Sequence, residues 1–352
     1  MRHPSAVKAY RCRVCANPLY FENSVCVSCG TNLGWSRAER DIVPVDAKGT
    51  YTDAAGEVWY VCKNLNLSGC TWLTRDEGGW CFSCHLTRTR PNDADLEGIS
   101  NYPVAEQAKR ALITELEGLG LPILSKQGED GAGTGADEVE GLAFDLLSSV
   151  AENVVIGHAD GVITIDLAES DTVYREKVRD QMGEPYRTML GHFRHEIGHY
   201  YQWQLVRDDE THARYVELFG DDTVSYQDAI DRHYAEGAPA DWADHFISTY
   251  ATMHPFEDFA ETWAHYLHIV DTIETARSYG LAGPMAVEPA FRDVVQHTWI
   301  PLSTALNMVN RSMGKEDLYP FVIPEAVVDK LEFVDGLVRA RSGNVTGTRP
   351  LG

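Results

Sequence analysis

The stretch GHFRHEIGHYYQW, residues 191–203, decides how this chain is read. It lies inside RTMLGHFRHEIGHYYQWQLV, residues 187–206, which reads as one helix. Residues i and i+4 share a helix face, so His195 and His199 can turn both imidazoles toward one ion. Glu196 stands beside them, placed to accept a proton from a metal-bound water. Gly198 is small where a close approach to neighbouring backbone would need it. The motif has only three fixed letters, which arise by chance in roughly one chain in a hundred of this length, and the two histidines could be incidental to a surface or buried helix. A metal centre needs a third protein ligand.

One route to that ligand is the extension HExxHxxGxxH. Here Gln202 occupies the glycine position and Leu205 the third histidine, so that route fails. The other route is a carboxylate on a later helix. Residues 255–280, PFEDFAETWAHYLHIVDTIETARSYG, read as a strong helix. Pro255 stands at its start, acids fill the first turn and Gly280 is near its end. Glu257 and Glu261 lie on one face, with His265 a turn further along.

The segment STYATMHPFEDFAETWAHY resembles the third-ligand segment of glutamate-type zincins. In thermolysin-like enzymes that segment reads E-x-x-x-D. The first acid binds zinc and the second buttresses a histidine ligand. The lethal-factor type is closer, with a tyrosine seven residues before the ligand glutamate and an E-x-x-A-E core. Tyr250, Glu257, Ala260 and Glu261 match that layout. Most of the chain also resembles a bacterial family of zinc-binding metallopeptidases with an N-terminal zinc-ribbon-like domain. The runs that carry this are CRVC, CVSCG, CTWL, GHADGVITI, GEPYRTMLGHFRHEIGHYY, RHYAEGAPADW and HPFEDFAETWAHYLHIVDT.

The resemblance implies roles residue by residue. His195, His199 and Glu257 would bind a catalytic zinc and leave a fourth position for water. Glu196 would be the general base. Glu261 would orient a histidine ligand. Tyr250 would donate to the oxyanion, or be simply a packed aromatic. The reverse assignment makes Glu261 the ligand and Glu257 a helix-start acid. Asp258 is expected to be a helix-start acid. His245, His254, His265 and His268 are expected to pack or hydrogen-bond, with His254 a candidate neighbour of the site. His192 is a candidate lining residue, and Arg187 and Arg194 are candidate salt-bridge partners.

All eight cysteines fall between Cys12 and Cys84. Cys12, Cys15, Cys26 and Cys29 form two CxxC knuckles, whose four thiolates can surround one tetrahedral ion. Gly30 suits the tight turn after the second knuckle. Cys62, Cys70, Cys81 and Cys84 have only one regular knuckle, and ligands could interleave between the two sets. A disulfide framework would need an oxidising compartment. Two structural zinc ions are the expectation, and closed four-thiolate sites leave no vertex for substrate. Trp35, Trp59, Trp72 and Trp80 are expected to pack a small core around them.

The net charge is −23, unevenly spread. Residues 1–90 carry 11 Lys/Arg against 8 Asp/Glu, and the remainder carries 19 against 45. The acidic part would repel a phosphate backbone, which argues against nucleic acid as a partner. No apolar run approaches the roughly eighteen residues that span a bilayer. The start, MRHPSAVKAYRCRVC, has no apolar segment after its positive charges, so a cytoplasmic protein is expected.

The expected fold class is α+β. A mainly helical zincin-like metallopeptidase domain with a small sheet would follow a small Cys-rich zinc-ribbon or rubredoxin-like domain. The expected divisions are 1–90 for the Cys-rich domain, 91–138 for a linker, 139–342 for the metallopeptidase domain and 343–352 for a flexible tail. The linker would hold a helix at 102–119, with Val104, Ala108, Ala111, Leu112, Leu116 and Leu119 at helical spacing, and a Gly-rich acidic loop at 128–138. Residues 154–168 read as a hairpin split by ADG. It is the candidate edge strand for pairing with an extended substrate. Further helices are expected at 171–182, 209–220, 225–236, 291–312 and 325–341, with Trp299, Leu302, Leu306 and Val309 as a buried stripe.

The function these features favour is a zinc-dependent peptidase acting on a peptide or protein. The alternatives are a silent peptide- or protein-binding module that keeps the metal shell, and an isopeptidase or amidohydrolase acting on a modified protein. A mere binder has no need of a base at Glu196. The N-terminal domain would either recruit a protein partner or serve as structural support alone.

Overall fold

A computed structural model describes residues 8–128, 140–149, 154, 156–171, 188–284 and 289–345. Residues 172–187, which hold most of the expected polar helix and Arg187, lie outside these. So do 129–138 of the Gly-rich loop and the tail beyond 345. The chain is α+β, and its contacts separate it into two compact units. One comprises 8–118 with 122–171, the other 119–121 with 188–345.

The first unit is a chain of short antiparallel pieces followed by one long helix and a mixed sheet. Strands β1 (Tyr10–Arg11) and β2 (Pro18–Leu19) pair, as do β3 (Leu33–Ser36) and β4 (Asp41–Pro44). Strands β5 (Thr50–Thr52), β6 (Val58–Val61) and β7 (Leu73–Thr74) form a third sheet. Short helices α1 (Leu65–Ser68) and α2 (Phe82–His85) complete the Cys-rich part. Trp35 and Trp72 are buried, and Tyr10 and Phe21 meet Trp35 edge-on at 5.4 and 5.1 Å. Trp59 packs against Val43, Val45 and Leu73. Trp80 departs from the expected core position. It is half exposed, with the Lys63 ammonium 3.4 Å above its ring, a contact made by charge and ring quadrupole rather than by burial.

Helix α3 (Leu96–Gly118) starts earlier than expected, because Pro103 sits inside it rather than in its first turn. Its buried face also differs from the apolar stripe. Val104 is exposed, while Glu106, Lys109 and Arg110 are buried. These charges persist inside because each has a partner. Lys109 Nζ lies 2.8 Å from Glu106 Oε1, and Arg110 Nη2 donates to Glu22 Oε2 at 3.1 Å and to the Ser68 carbonyl at 3.2 Å.

The four-stranded sheet has the order β10-β11-β9-β8. Strands β10 (Gly157–Ala159) and β11 (Val162–Asp166) form the expected hairpin, with Asp160 at φ +50° and Gly161 at +80° in the turn. Two positive φ values match the twist of a tight hairpin, which is why Asp-Gly serves there. Strand β9 (Ala143–Leu147) runs parallel to β11 on one side and to β8 (Thr87–Thr89) on the other. The structure therefore groups these strands with the Cys-rich segments, not with the helices of the expected 139–342 domain. The reason is the β8–β9 pairing, a long-range parallel contact that no local pattern announces.

The second unit is helical. Helices α4 (Met189–Leu205), α5 (Asp209–Phe219), α6 (Tyr226–Glu236) and α7 (Pro255–Ser278) lead to α8 (Phe291–Val294), α9 (Ile300–Ser312) and α10 (Glu325–Val345). Thr188 caps α4, its side chain accepting from the Gly191 amide. Asp208 and Ser225 cap α5 and α6 in the same manner. A π-turn, Val295–Trp299, joins α8 to α9 just before Pro301. Proline has no amide hydrogen and crowds the carbonyl one turn back, so the helix widens there. The stripe expected on this helix is buried only in part. Trp299 and Leu302 are inside, but Val309 is 58% exposed. Helix α10 runs on to Val345, beyond the expected 341.

Helices α4 and α7 pack side by side around Phe193, Ile197, Tyr201, Phe259 and Trp263, all buried. The Tyr201 and Trp263 rings stack at 5.0 Å. Asp258, in the first turn of α7 as expected, is also buried and held by Lys330 Nζ of α10 at 2.6 Å. That pair locks the start of the helix that carries Glu257.

Candidate metal centres

The two cysteine quartets are separate and do not interleave. The sulfurs of Cys12, Cys15, Cys26 and Cys29 lie within 4.8 Å of one another, as do those of Cys62, Cys70, Cys81 and Cys84. Cys15 and Cys26 are 3.6 Å apart at sulfur, Cys12 and Cys29 3.8 Å, and Cys70 and Cys81 3.5 Å. A disulfide would bring sulfurs to about 2.05 Å. Four thiolates around a tetrahedral zinc at about 2.3 Å would sit about 3.8 Å apart, close to these three separations. Both knuckles of the first quartet close with a left-handed residue, Gly30 at φ +72° as expected and Ala16 at φ +60°.

The quartets differ in exposure. Cys15 and Cys29 are exposed, whereas all four members of the second set are buried. In the second, the Cys81 amide donates to Cys62 Sγ at 3.3 Å and the Cys84 amide to Cys81 Sγ at 3.5 Å. Such N–H···S bonds disperse thiolate charge.

The third cluster lies in the helical unit. His195 and His199 on α4 and Glu257 on α7 converge, with ligand atoms within 4.8 Å of each other. Glu257 Oε2 is 3.0 Å from His195 Nε2 and 3.6 Å from His199 Nε2. Ligands at about 2.05 Å from a tetrahedral zinc would be about 3.3 Å apart, so these atoms fit one ion. The close approach of the two helices is set by Gly198. A Cβ there would lie 2.9 Å from Ala260 Cα and 3.1 Å from Trp263 Cβ.

Around this triad the described sequence-selected residues, all but Arg187, have definite contacts. Glu261 Oε1 is 2.7 Å from His195 Nδ1 and Glu261 Oε2 accepts from Ser248 Oγ at 2.8 Å. Glu261 thus addresses the far nitrogen of His195 while Glu257 faces the near one. Glu196 is buried, with Oε1 3.2 Å from His192 Nε2. Its Oε2 is buried without a hydrogen-bond partner among the described residues. An orphaned buried carboxylate oxygen is costly, and this one belongs to the residue next to His195. Burial opposes ionisation of Glu196, but the His192 hydrogen bond and the nearby imidazoles outweigh it and hold the carboxyl below its ordinary range.

Tyr250 lies in a 3-10 turn, Tyr250–Thr252, with its ring 5.9 Å from that of His195. Burial, followed by the charges of Glu257 and Glu196, pushes its phenol well above the ordinary value, so it stays a donor. His254 caps α7, its Nδ1 accepting from the Phe256 amide at 3.1 Å. His265 bonds to the Tyr319 hydroxyl at 2.7 Å, and Arg194 joins His268 and Asp271 at 2.7 and 2.9 Å. His245 is solvent-exposed near Asp241.

Two contacts were not read from the sequence. Tyr226 of α6 donates its hydroxyl to Glu257 Oε1 at 2.7 Å, and Ser248 supports Glu261. Neither carries a local signal. Both sit in segments whose approach to the triad depends on how the chain returns after α5.

A family model described as "Putative zinc-binding metallo-peptidase" matches residues 98–337, and a zinc-ribbon domain model matches residues 9–95. Uncharacterized proteins of Mycobacterium tuberculosis and Mycobacterium bovis are 47% identical over 341 residues, covering 94% of this chain and 95% of theirs. No solved structure matches. Among the described residues no helix is long and apolar enough to cross a membrane.

Proposed function

Because the chain belongs to this zinc-binding metallo-peptidase family, we propose that it is a zinc-dependent peptidase of the glutamate-ligand type. It hydrolyses peptide bonds in a peptide or protein substrate. The observation that carries this reading is Glu196 Oε2, buried and unpartnered beside the converging His195, His199 and Glu257. A silent binding module has no use for that carboxylate.

His195 Nε2, His199 Nε2 and Glu257 Oε2 would hold the zinc, and the two four-cysteine clusters would hold one structural zinc each. When bound, the catalytic zinc would supply Lewis acidity toward the water and the scissile carbonyl. Glu261 keeps the proton on His195 Nδ1, so that Nε2 presents its lone pair. Glu196 takes a proton from the attacking water as it adds to the carbonyl carbon. The same carboxyl then delivers that proton to the leaving amine. His192 fixes the rotamer of Glu196 through Oε1 and leaves Oε2 as the basic atom. Tyr250, protonated, donates to the carbonyl oxygen as negative charge grows there.

The test is a digest of casein or a peptide library by the parent and by Glu196→Gln. The parent cleaves and the variant retains full zinc while losing cleavage by about a hundredfold or more. Cleavage by both alike would end the assignment of Glu196.

A further inference from the structure

Glu257 has both carboxylate oxygens engaged, and in opposite directions. Oε2 faces the two imidazole Nε2 atoms. Oε1 accepts the Tyr226 hydroxyl at 2.7 Å. We propose that Tyr226 is a positioning residue that fixes Glu257 as a one-oxygen ligand and thereby keeps the coordination sphere at four, with one vertex free for substrate chemistry. This inference rests on the reading of His195, His199 and Glu257 as zinc ligands.

The physical argument starts from the two oxygens of a carboxylate. An unrestrained glutamate beside a cation can rotate to offer both, because zinc has no d-electron preference that resists a fifth ligand. A second oxygen from Glu257 would fill part of the space that water and the substrate carbonyl need. A phenol hydrogen bond to Oε1 opposes that rotation, since a bound Oε1 must stay on the side of Tyr226. The bond is charge-assisted, and so among the stronger kind.

The surrounding contacts hold Tyr226 in that register. Tyr226 is the first residue of α6, directly after the cap Ser225, whose Oγ accepts from the Asp228 amide at 3.3 Å. The Tyr226 ring meets the His254 ring edge-on at 5.2 Å. His254 Nε2 is 3.2 Å from the Val224 carbonyl, while its Nδ1 caps α7. One imidazole therefore ties the start of the helix that bears Tyr226 to the start of the helix that bears Glu257. Seven residues along α6, His233 approaches Thr252 Oγ1 at 3.4 Å and stands 6.4 Å from the Tyr250 ring. The remaining face of α6 is open to solvent, with Ala229 its sole buried residue. Two side chains of α6 thus reach the centre, Tyr226 at Glu257 and His233 at the 3-10 turn.

The experiment uses the full chain with its thiolate clusters kept in zinc and the third centre stripped by mild chelation and refilled with cobalt(II). The parent should give the intense visible bands of a four-coordinate ion. Tyr226→Phe should give bands weaker by about twofold, as expected of a fifth ligand, and should lose about tenfold in zinc affinity by chelator competition. Tyr234→Phe, an exposed tyrosine of the same helix, should match the parent in both. A Tyr226→Phe protein with parental spectrum and affinity would overturn the proposal, as would a parent already five-coordinate. A parent that takes up no cobalt at this centre would instead remove the zinc-ligand reading beneath it.

Discussion

Gly198 on α4 faces Ala260 on α7 so closely that a methyl group on the glycine would come within 2.9 Å of Ala260 Cα. The obstructing atom is backbone, so the helices themselves would have to part. Because His195 and His199 ride on one helix and Glu257 on the other, any such movement widens the triad. Gly198→Ala is expected to lower stability by about 1–3 kcal/mol, the cost of overpacking a close contact, and to weaken zinc at this centre. Thermal denaturation and chelator competition on the same sample check both effects. An unchanged zinc affinity would show that the helices yield elsewhere.

On the function proposed above Glu261 acts through His195, so its removal should be read in metal binding before activity. Glu261→Ala is expected to lower zinc affinity at this centre by about 10- to 100-fold, the usual loss when the support of a histidine ligand is removed. Glu261→Gln should lose less, because an amide oxygen can still accept from His195 Nδ1 while its NH2 turns to Ser248. Competition with a coloured chelator ranks the three proteins. Equal affinities would mean that packing alone orients the imidazole.

Metal should leave the chain in an order set by ligand number and exposure. The centre with three protein ligands is expected to release its zinc first, under a mild chelator at neutral pH. The quartet with Cys15 and Cys29 at the surface should follow. The buried quartet, with amides donating to Cys62 and Cys81, should be last. Elemental analysis at rising chelator strength would fall from three zinc ions to two, then to one. Loss of a four-cysteine zinc before the first step would contradict this order.

Acid should unfold the helical unit partly through His265. This imidazole is buried, 5% exposed, and burial lowers its pKa to about 4, with the charge of Glu261 opposing. The folded value lies below the unfolded value of about 6.5. The unfolded chain therefore binds the proton first, so the neutral ring's contribution is complete above pH 6.5 and is lost as pH falls toward 4. At pH 5 the loss is expected to be about 2 kcal/mol. Urea midpoints of the parent and His265→Gln, compared at pH 7.5 and 5.0, isolate this group, since metal loss affects both proteins alike. Parallel pH profiles would assign the acid sensitivity to another residue.

Much of the site was legible because its parts lie on helices with strong local signals. The i, i+4 spacing of His195 and His199, the acids after Pro255, and the small residue at Gly198 each state a geometry that needs no knowledge of the whole fold. The same holds for the paired knuckles at Cys12–Cys15 and Cys26–Cys29. What escaped depends on return paths of the chain. Tyr226 reaches Glu257 across a turn, a cap and a whole helix. Ser248 reaches Glu261 from an irregular segment. The buried charges Glu106, Lys109 and Arg110 lie outside the apolar stripe expected on α3, and the pairing of Arg110 with Glu22 and Ser68 is a tertiary fact. The parallel junction of Thr87–Thr89 with β9 is equally silent in the sequence, since parallel partners carry no turn between them.

That junction governs how the molecule can be dissected. Because the strand supplied just after Cys84 finishes the sheet, a protein begun at residue 91 would lose more than its thiolate clusters. It would leave the edge of β9 uncovered around Phe144 and Asp145, in a strand of mostly buried apolar chain, open to any passing strand. Such a fragment is primed to clump, and its inactivity would say nothing about recruitment by the front end. Substitutions that empty a cysteine cluster one at a time, with the polypeptide kept whole, are the sounder way to learn what that region contributes.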